Sequence, residues 1–340
     1  MEGNELLRIE NLHVSFDTYA GEIMAVRGVE LKVDKGETLA VVGESGSGKS
    51  VTAQSIMRLS PDSQIIYKEG KIIFDDIEVL KLSSKEMEEF RGKEVGMIMQ
   101  DPLTALNPTM TIGKQIAEGL IKQQKMKKEE AIQRTIELLE MVGIPNPEQR
   151  IKQYPHEFSG GMRQRVGIAI ALACNPKMLI ADEPTTALDV TIQAQILELM
   201  KKLQQEYGMS IILITHDLGI VADMADKVAI MYAGRIIEKG TYQDIFYNPM
   251  HPYTWGLLGS VPRLDTANKT ELASIKGTPP DLRAVITGCP FKARCMYEME
   301  ICRECAPEEF KDGEEHSAFC WLYHDYAPAT TNPITGKETK

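Results

Sequence analysis

The chain has 340 residues, more than one compact domain of ordinary size usually holds, so a large domain with a smaller companion is the starting expectation. Its 38 Lys and Arg against 49 Asp and Glu leave a net charge of -11, without the basic footprint that a phosphate backbone favours, and nucleic acid is not expected as a partner. The acidic start MEGNELLRIENL lacks the features of a secretory signal, and the longest apolar runs, such as Val166–Cys174, reach about half of the ~20 residues that cross a bilayer. A cytosolic chain is expected, able to dock on a membrane component without spanning the membrane itself.

The first informative stretch is TLAVVGESGSGKSVTAQSIMRL, which predicts a buried strand over Thr38–Val42, a glycine-rich loop and a helix beginning near Lys49. Gly43, Gly48, Lys49 and Ser50 fill the pattern G-x-x-x-x-G-K-[ST], with Gly46 as an additional small residue. Glycines let successive N–H groups converge on one anion, and the helix N-terminus adds positive potential. Lys49 then neutralises β- and γ-phosphate oxygens while the Ser50 hydroxyl holds Mg²⁺. A plain glycine-serine turn is the alternative, but a chance match is on the order of 1% and the strand and helix flanks lower it further.

Lys49 and the next carboxylate pair are separated by roughly 130 residues, far more than a short crossover needs. The intervening TIGKQIAEGLIKQQ and EEAIQRTIELLEMVG carry apolar residues at Ile112, Ile116 and Leu120, then at Ile132, Ile136, Leu139 and Val142. That spacing predicts two amphipathic helices in an inserted helical subdomain, about residues 101–176, whose natural role is contact with a partner.

KMLIADEPTTALD is an apolar strand ending in Asp182 and Glu183. Adjacent strand residues point to opposite sides, so the two acids take different roles. Asp182 suits Mg²⁺ through water, and Glu183 suits the orientation and deprotonation of an attacking water. A third apolar strand, SIILITHD, places His216 at its carboxyl end, where ligands of open α/β sheets sit.

FSGGMRQRVGIAIALACNP adds a second glycine-led helix start, at Ser159, Gly160 and Gly161, and one nucleotide does not need two such sites. Here the chain resembles the ATP-binding subunit of an ABC transporter, over essentially residues 5 to 325. The ordered motifs are the Walker A loop Gly43–Ser50, the Q-loop Gln100, the signature Ser159–Gly161, Walker B ending at Asp182 and followed by Glu183, the D-loop Asp189 and the switch histidine His216. The signature departs from LSGGQ with Phe158, which keeps an apolar anchor, and Met162, which loses a side-chain amide.

The resemblance implies an α/β P-loop fold with an inserted helical subdomain, ATP contacts that include Ser45 and Val51, and Mg²⁺ held by Ser50, Gln100 and Asp182. It also implies an aromatic on adenine, for which Tyr19 is favoured over Phe16. Two subunits would close head to tail on two ATP molecules, each signature completing the other's site.

Two further stretches, QDPLTALNPTMTIGKQI and NPMHPYTWGLLGSVPRL, resemble the ATPase subunits of oligopeptide and dipeptide importers, a group that also includes nickel importers. That resemblance implies a second ATPase subunit, with a heterodimer favoured over a homodimer. It implies two transmembrane permease subunits, an extracytoplasmic substrate-binding protein, and a place on the cytoplasmic face of the membrane. A soluble ABC ATPase acting on nucleic acid or ribosomes is the competing class, and a metal-dependent regulator that only binds ATP is a third.

Composition shifts after Leu264, so an ABC domain over 1–264, a small cysteine-rich domain over 265–326 and a loose polar tail over 327–340 are expected. Cys289, Cys295, Cys302 and Cys320 are separated by five, six and seventeen residues, and His316 precedes the last. A disulfide framework does not suit a cytosolic chain. Structural zinc favours short C-x₂₋₄-C knuckles, and only Cys302 and Cys305 supply one. The wider spacings suit a [4Fe–4S] cluster, with zinc as the alternative and Cys305 as a possible replacement for Cys302. Its expected role is to staple a small domain of low apolar content.

Overall fold

A computed structural model describes residues 4–19, 21–59, 65–101, 105–186, 188–260 and 275–339. The chain divides into two compact units, one of Met1–Leu7, Val33–Thr38 and Ile73–Ile214, the other of Arg8–Lys32, Leu39–Ile72 and Thr215–Lys340. The division expected at Leu264 lies outside the described residues. No described helix is long and apolar enough to cross a membrane.

In the first unit the strands Val95–Ile98, Met178–Asp182 and Ser210–Thr215 run parallel, with Val95 opposite Met178 and Asp182 opposite Ile214. Their unbroken apolar runs are what strands covered on both faces require, and Met178 through Ala181 are fully buried. Helices Ile112–Gln123, Lys128–Met141 and Gly160–Leu172 follow from the expected insertion. In the first, Ile112, Ile116 and Leu120 are buried as the spacing predicts.

The second helix departs from expectation. Its buried side is Ala131, Thr135, Leu138 and Leu139, continuing to Val142, whereas Ile132 is exposed and Ile136 only half-buried. Thr135 passes as apolar because its hydroxyl donates to the Ala131 carbonyl at 2.7 Å, so no polar group is left unpaired. Leu139 and Val142 are buried as expected, and only the N-terminal half of the face is shifted, to Ala131 and Thr135.

In the second unit residues Leu39 to Val42 of the strand Thr38–Val42 pair in parallel with Lys227–Tyr232, Val42 lying opposite Ile230. Next come Arg235–Thr241, His316–Phe319 and Glu309–Asp312, each antiparallel to its neighbour. The last two strands belong to the cysteine-bearing segment. It was expected to form a small domain of its own; instead it extends this sheet, and Cys289, Phe291 and Cys302 pack in one cluster with Ala40, Val42, Val228 and Ile230. A segment with few apolar residues gains most by burying them against a core that already exists.

The polar tail is also tied down. Asn332 is buried, its amide donates to the Pro249 carbonyl at 2.7 Å, and Thr331 bridges Glu338. A loose end was expected from its composition alone, which does not reveal a buried partner for one asparagine.

Candidate active site

The glycine-rich loop has the backbone its sequence predicts. A Cβ at Gly43 would sit 2.2 Å from the Met231 carbonyl oxygen, and one at Gly48 would sit 2.5 Å from that of Ala25, at a φ of +103°. Neither position tolerates a side chain. Gly48 opens the helix Lys49–Ile56 without any side-chain cap, which leaves the first N–H groups to an anion. The loop is held from behind by the Gly234 N–H, which donates to the Ser47 carbonyl at 2.8 Å.

Lys49 is buried, and its ammonium donates to the carbonyls of Gly43 and Glu44 at 2.7 and 2.9 Å. The Ser47 hydroxyl is buried and has no hydrogen-bond partner among the described residues. A buried hydroxyl left without a partner is costly, and a phosphate oxygen held by this loop would satisfy it. Ser45 and Gly46 are exposed, while Ser50 and Val51 are half-buried at the helix start. Tyr19, just past the strand Glu5–Thr18, is fully exposed, whereas Phe16 is half-buried.

Within the first unit, Gln100 and Glu183 come together. Gln100 Nε2 donates to Glu183 Oε2 at 2.9 Å, and the Thr186 hydroxyl donates to the same oxygen at 2.9 Å. The strand ends at Asp182, which is buried, and Glu183 turns away at a φ of +46° with its N–H on the Ile214 carbonyl at 2.9 Å. That left-handed backbone is costly for a non-glycine residue and is kept where the surroundings enforce it. The two adjacent acids are therefore separated by a backbone turn as well as by the strand pleat.

Ser159 caps the helix Gly160–Leu172, accepting the Met162 N–H at 3.4 Å, and Ser159 and Gly160 are exposed. Phe158 is buried beneath the Arg150 guanidinium at 5.6 Å and serves as the apolar anchor expected of it. A Cβ at Gly161 would sit 2.7 Å from Ile192, so the helix Val190–Tyr207 closes against this glycine. Asp189 caps that helix through the Ile192 N–H at 3.0 Å and is exposed, as is Val190. In the second unit His216 is exposed at the end of its strand, and Asp217 caps the helix that follows.

Cys289, Cys295, Cys302 and Cys320 line one cavity, with Phe291, Tyr297, Met299, Trp321 and Leu322 among its walls. Cys305 is exposed and does not line it. Burial pushes the Cys289 thiol up to about 11 and Cys295 to about 12, and drives Cys320 well above the usual thiol range. Among the described residues no three His, Cys, Asp or Glu side chains are gathered into a group that could hold a metal ion. The metal centre expected from the cysteine spacing is thus not shown as a formed ligand set. What the structure does show is that all four cysteines line this one cavity, beside walls that are largely apolar.

Sequence reasoning missed three residues. Thr186 was legible as part of PTTALD, but nothing marked its hydroxyl as a partner of Glu183. Glu44 was passed over as a filler position in the loop pattern, and its partner Arg294 lies 250 residues away. Glu238, fully buried, carried no motif at all.

A strand that runs into the Gly43–Ser50 loop and its helix start, and another that runs into Asp182 and Glu183, are the elements of a P-loop ATPase. Residues 13–186 match the family model of the ABC transporter, and residues 237–302 match that of the oligopeptide/dipeptide transporter, C-terminal region. The chain is 59% identical over 328 residues to the oligopeptide transport ATP-binding protein OppD of Bacillus subtilis, covering 96% of this chain and 92% of that one. It is 57% identical over 318 residues to the dipeptide transport ATP-binding protein DppD of the same organism, covering 94% and 95%. A dimeric post-hydrolysis structure of the ATP-binding cassette MJ0796, bound to ADP and Pi, is similar with a TM-score of 0.63 at 29% identity, over 70% of this chain and 99% of that chain.

The chain belongs to the ABC transporter family, and its reaction is ATP hydrolysis coupled to transport. Its C-terminal part is of the oligopeptide/dipeptide transporter type.

Proposed function

We propose that this chain is the ATP-hydrolysing subunit of an importer for oligopeptides or dipeptides, attached to the cytoplasmic side of two permease subunits that receive cargo from an extracytoplasmic binding protein. The observation that carries the cargo class is the match of residues 237–302 to the oligopeptide/dipeptide C-terminal region, which contains the buried HPYT stretch at His251–Thr254. The relatives reported above are named for peptides, which supports peptide over a nickel complex.

In this reading Lys49 and the loop amides carry the β- and γ-phosphates, and Ser50, Gln100 and Asp182 hold Mg²⁺ directly or through water. When bound, Mg²⁺ would supply neutralisation of the developing phosphate charge at these residues. Glu183 takes the proton of the attacking water, and its hydrogen bonds from Gln100 and Thr186 fix the carboxylate that must accept it. His216 meets the γ-phosphate, and Tyr19 stacks on adenine.

The exposed helix start at Ser159, Gly160 and Gly161, with Asp189 and Val190 also exposed, supports a head-to-tail partner whose nucleotide this signature completes. A related second ATPase subunit is the proposed partner. The four cysteines of the cavity are proposed to hold a [4Fe–4S] cluster, supported by their convergence and by the exclusion of Cys305.

The test is uptake by vesicles carrying the assembled transporter. ATP-driven accumulation of a labelled dipeptide or tripeptide, abolished by Glu183→Gln, supports the reading. ATP-driven accumulation of Ni²⁺ without peptide, or hydrolysis with no permease association, rejects it.

A further inference from the structure

The second residue of the phosphate loop is an acid. Glu44 follows Gly43 directly, so a carboxylate stands at the cradle that has to receive a polyphosphate. Its charge opposes such a ligand unless a cation takes it up.

Arg294, in the same compact unit, does so with both arms of its guanidinium. Nη1 donates to Glu44 Oε2 at 2.7 Å and Nη2 donates to Oε1 at 3.0 Å, the two-pronged geometry that binds carboxylate most firmly. The Arg294 side chain is only 4% exposed. Its Nε donates to the Lys276 carbonyl at 3.0 Å, Nη2 also reaches the Ile275 carbonyl at 3.3 Å, and Nη1 reaches the Tyr232 hydroxyl at 3.3 Å. The guanidinium also lies 5.7 Å from the Tyr232 ring centre. Among the described residues its other hydrogen-bond partners are neutral, and Glu44 is the one that carries a charge.

The backbone of Glu44 is held separately. Its N–H donates to the hydroxyl of Tyr253 at 3.0 Å, and Tyr253 is fully buried. Tyr253 belongs to the HPYT stretch, and Arg294 immediately precedes Cys295 in the cysteine-bearing segment. Two parts of the C-terminal region that carry no phosphate-binding motif thus grip one residue of the phosphate loop.

We propose that Arg294 is a positioning residue for ATP, cancelling the Glu44 charge and, with Tyr253, tethering the loop so that the C-terminal region sets the affinity of the nucleotide site. This rests on the reading of Gly43–Ser50 as the ATP phosphate loop.

The experiment compares KM for ATP and kcat in the full-length chain within its assembled transporter. Arg294→Gln is expected to raise KM about ten-fold with kcat within about two-fold, as one uncompensated charge near a polyphosphate would at an effective dielectric of about 20. Combining it with Glu44→Gln is expected to bring KM back to within about three-fold of the unaltered protein, because the repelling charge is then gone. Recovery on removing a second side chain is not what lost packing produces. A lowered Tm with unchanged KM, or a double variant as impaired as Arg294→Gln, overturns the proposal.

Should Arg294→Gln fail to assemble, Glu44→Gln alone decides: KM at or below that of the unaltered protein is expected, and a raised KM overturns the charge argument. Lys49→Ala separates the two levels. Retained ATP binding in that variant rejects the loop reading itself, whereas lost binding there with an unchanged KM in Arg294→Gln rejects only the role of Arg294.

Discussion

His316 Nε2 lies 3.0 Å from Glu238 Oε1, and both side chains are shut off from solvent. A carboxylate only accepts, so the imidazole donates from Nε2. The same carboxylate accepts the N–H of Met250 at 2.6 Å, the N–H of His251 at 2.9 Å and the Thr254 hydroxyl. One buried acid therefore joins the strand Arg235–Thr241, the HPYT helix start and the strand His316–Phe319 of the cysteine-bearing segment. That junction ties the HPYT stretch to the cysteine-bearing segment through a single carboxylate.

Glu238→Ala strands four donors away from water. Removing one partner of a buried charged hydrogen-bond network costs about 3–5 kcal/mol. Tm is expected to fall by roughly 10 °C, at about 2–4 °C per kcal/mol for a domain of this size. Thermal unfolding followed by circular dichroism checks this, and a drop of only about 2 °C would mean the network contributes little.

Glu183→Gln keeps the shape of the side chain and removes its basicity. ATP binding is expected to persist while turnover falls by about 10²–10⁴-fold, the range for a lost general base. Single-turnover hydrolysis alongside equilibrium nucleotide binding measures both, and undiminished hydrolysis would remove Glu183 from its role.

Gln100 and Thr186 each donate a hydrogen bond to the Glu183 carboxylate. Thr186→Val removes one hydroxyl and nothing that touches nucleotide in the proposed mechanism. Turnover is expected to drop about ten-fold, the worth of roughly 1.4 kcal/mol of lost positioning, with KM unchanged. Steady-state kinetics in the assembled transporter tests it, and a change in KM alone would place Thr186 elsewhere in the cycle.

Cys302 lines the cavity and Cys305 does not. On protein purified without oxygen, Cys305→Ser is expected to leave iron and acid-labile sulfide content and the visible absorption spectrum unchanged, whereas Cys302→Ser lowers all three. Equal loss in both variants would contradict the assignment of the cavity cysteines. Zinc without sulfide in the unaltered protein would replace the cluster with the alternative ion.

Tyr19 stands fully exposed after the first strand, and Phe16 is half-buried among neighbours. Stacking of a base on an aromatic ring contributes about 1–3 kcal/mol. Tyr19→Ala is expected to weaken ATP binding by about ten-fold without lowering Tm, and Phe16→Ala to lower Tm instead. Titration with a fluorescent ATP analogue, paired with thermal unfolding, distinguishes the two.

The motifs were legible because each is local. Gly43–Ser50 carries its whole meaning in consecutive residues, where backbone freedom at glycine and a lysine at a fixed offset decide the loop before any packing is considered. The buried strands Thr38–Val42 and Met178–Asp182 were legible for a related reason, since an apolar run bounded by polar residues has few other ways to exclude water. The face of Lys128–Met141 was legible only in part: Leu139 and Val142 are buried as expected, but its first turns bury Ala131 and Thr135 in place of Ile132 and Ile136, because periodicity weighs large apolar residues. The cysteine spacing announced a cluster of thiols, yet could not choose between Cys302 and Cys305, three residues apart on one short helix turn.

By itself the sequence determined the class of this protein, and it supplied the patterns from which the phosphate loop, the acid pair, the signature and the four cysteines are proposed as sites, because each depends on residue type at short range. Only the tertiary structure decided that Arg294 neutralises Glu44, that Gln100 and Thr186 aim Glu183, and that the cysteine-bearing segment shares a core and a sheet with the phosphate-loop strand. Those pairings join residues from distant parts of the chain. They form because a buried charge must find its counter-charge and a short apolar-poor segment must find a core, requirements that bear on the folded chain as a whole and leave no spacing behind.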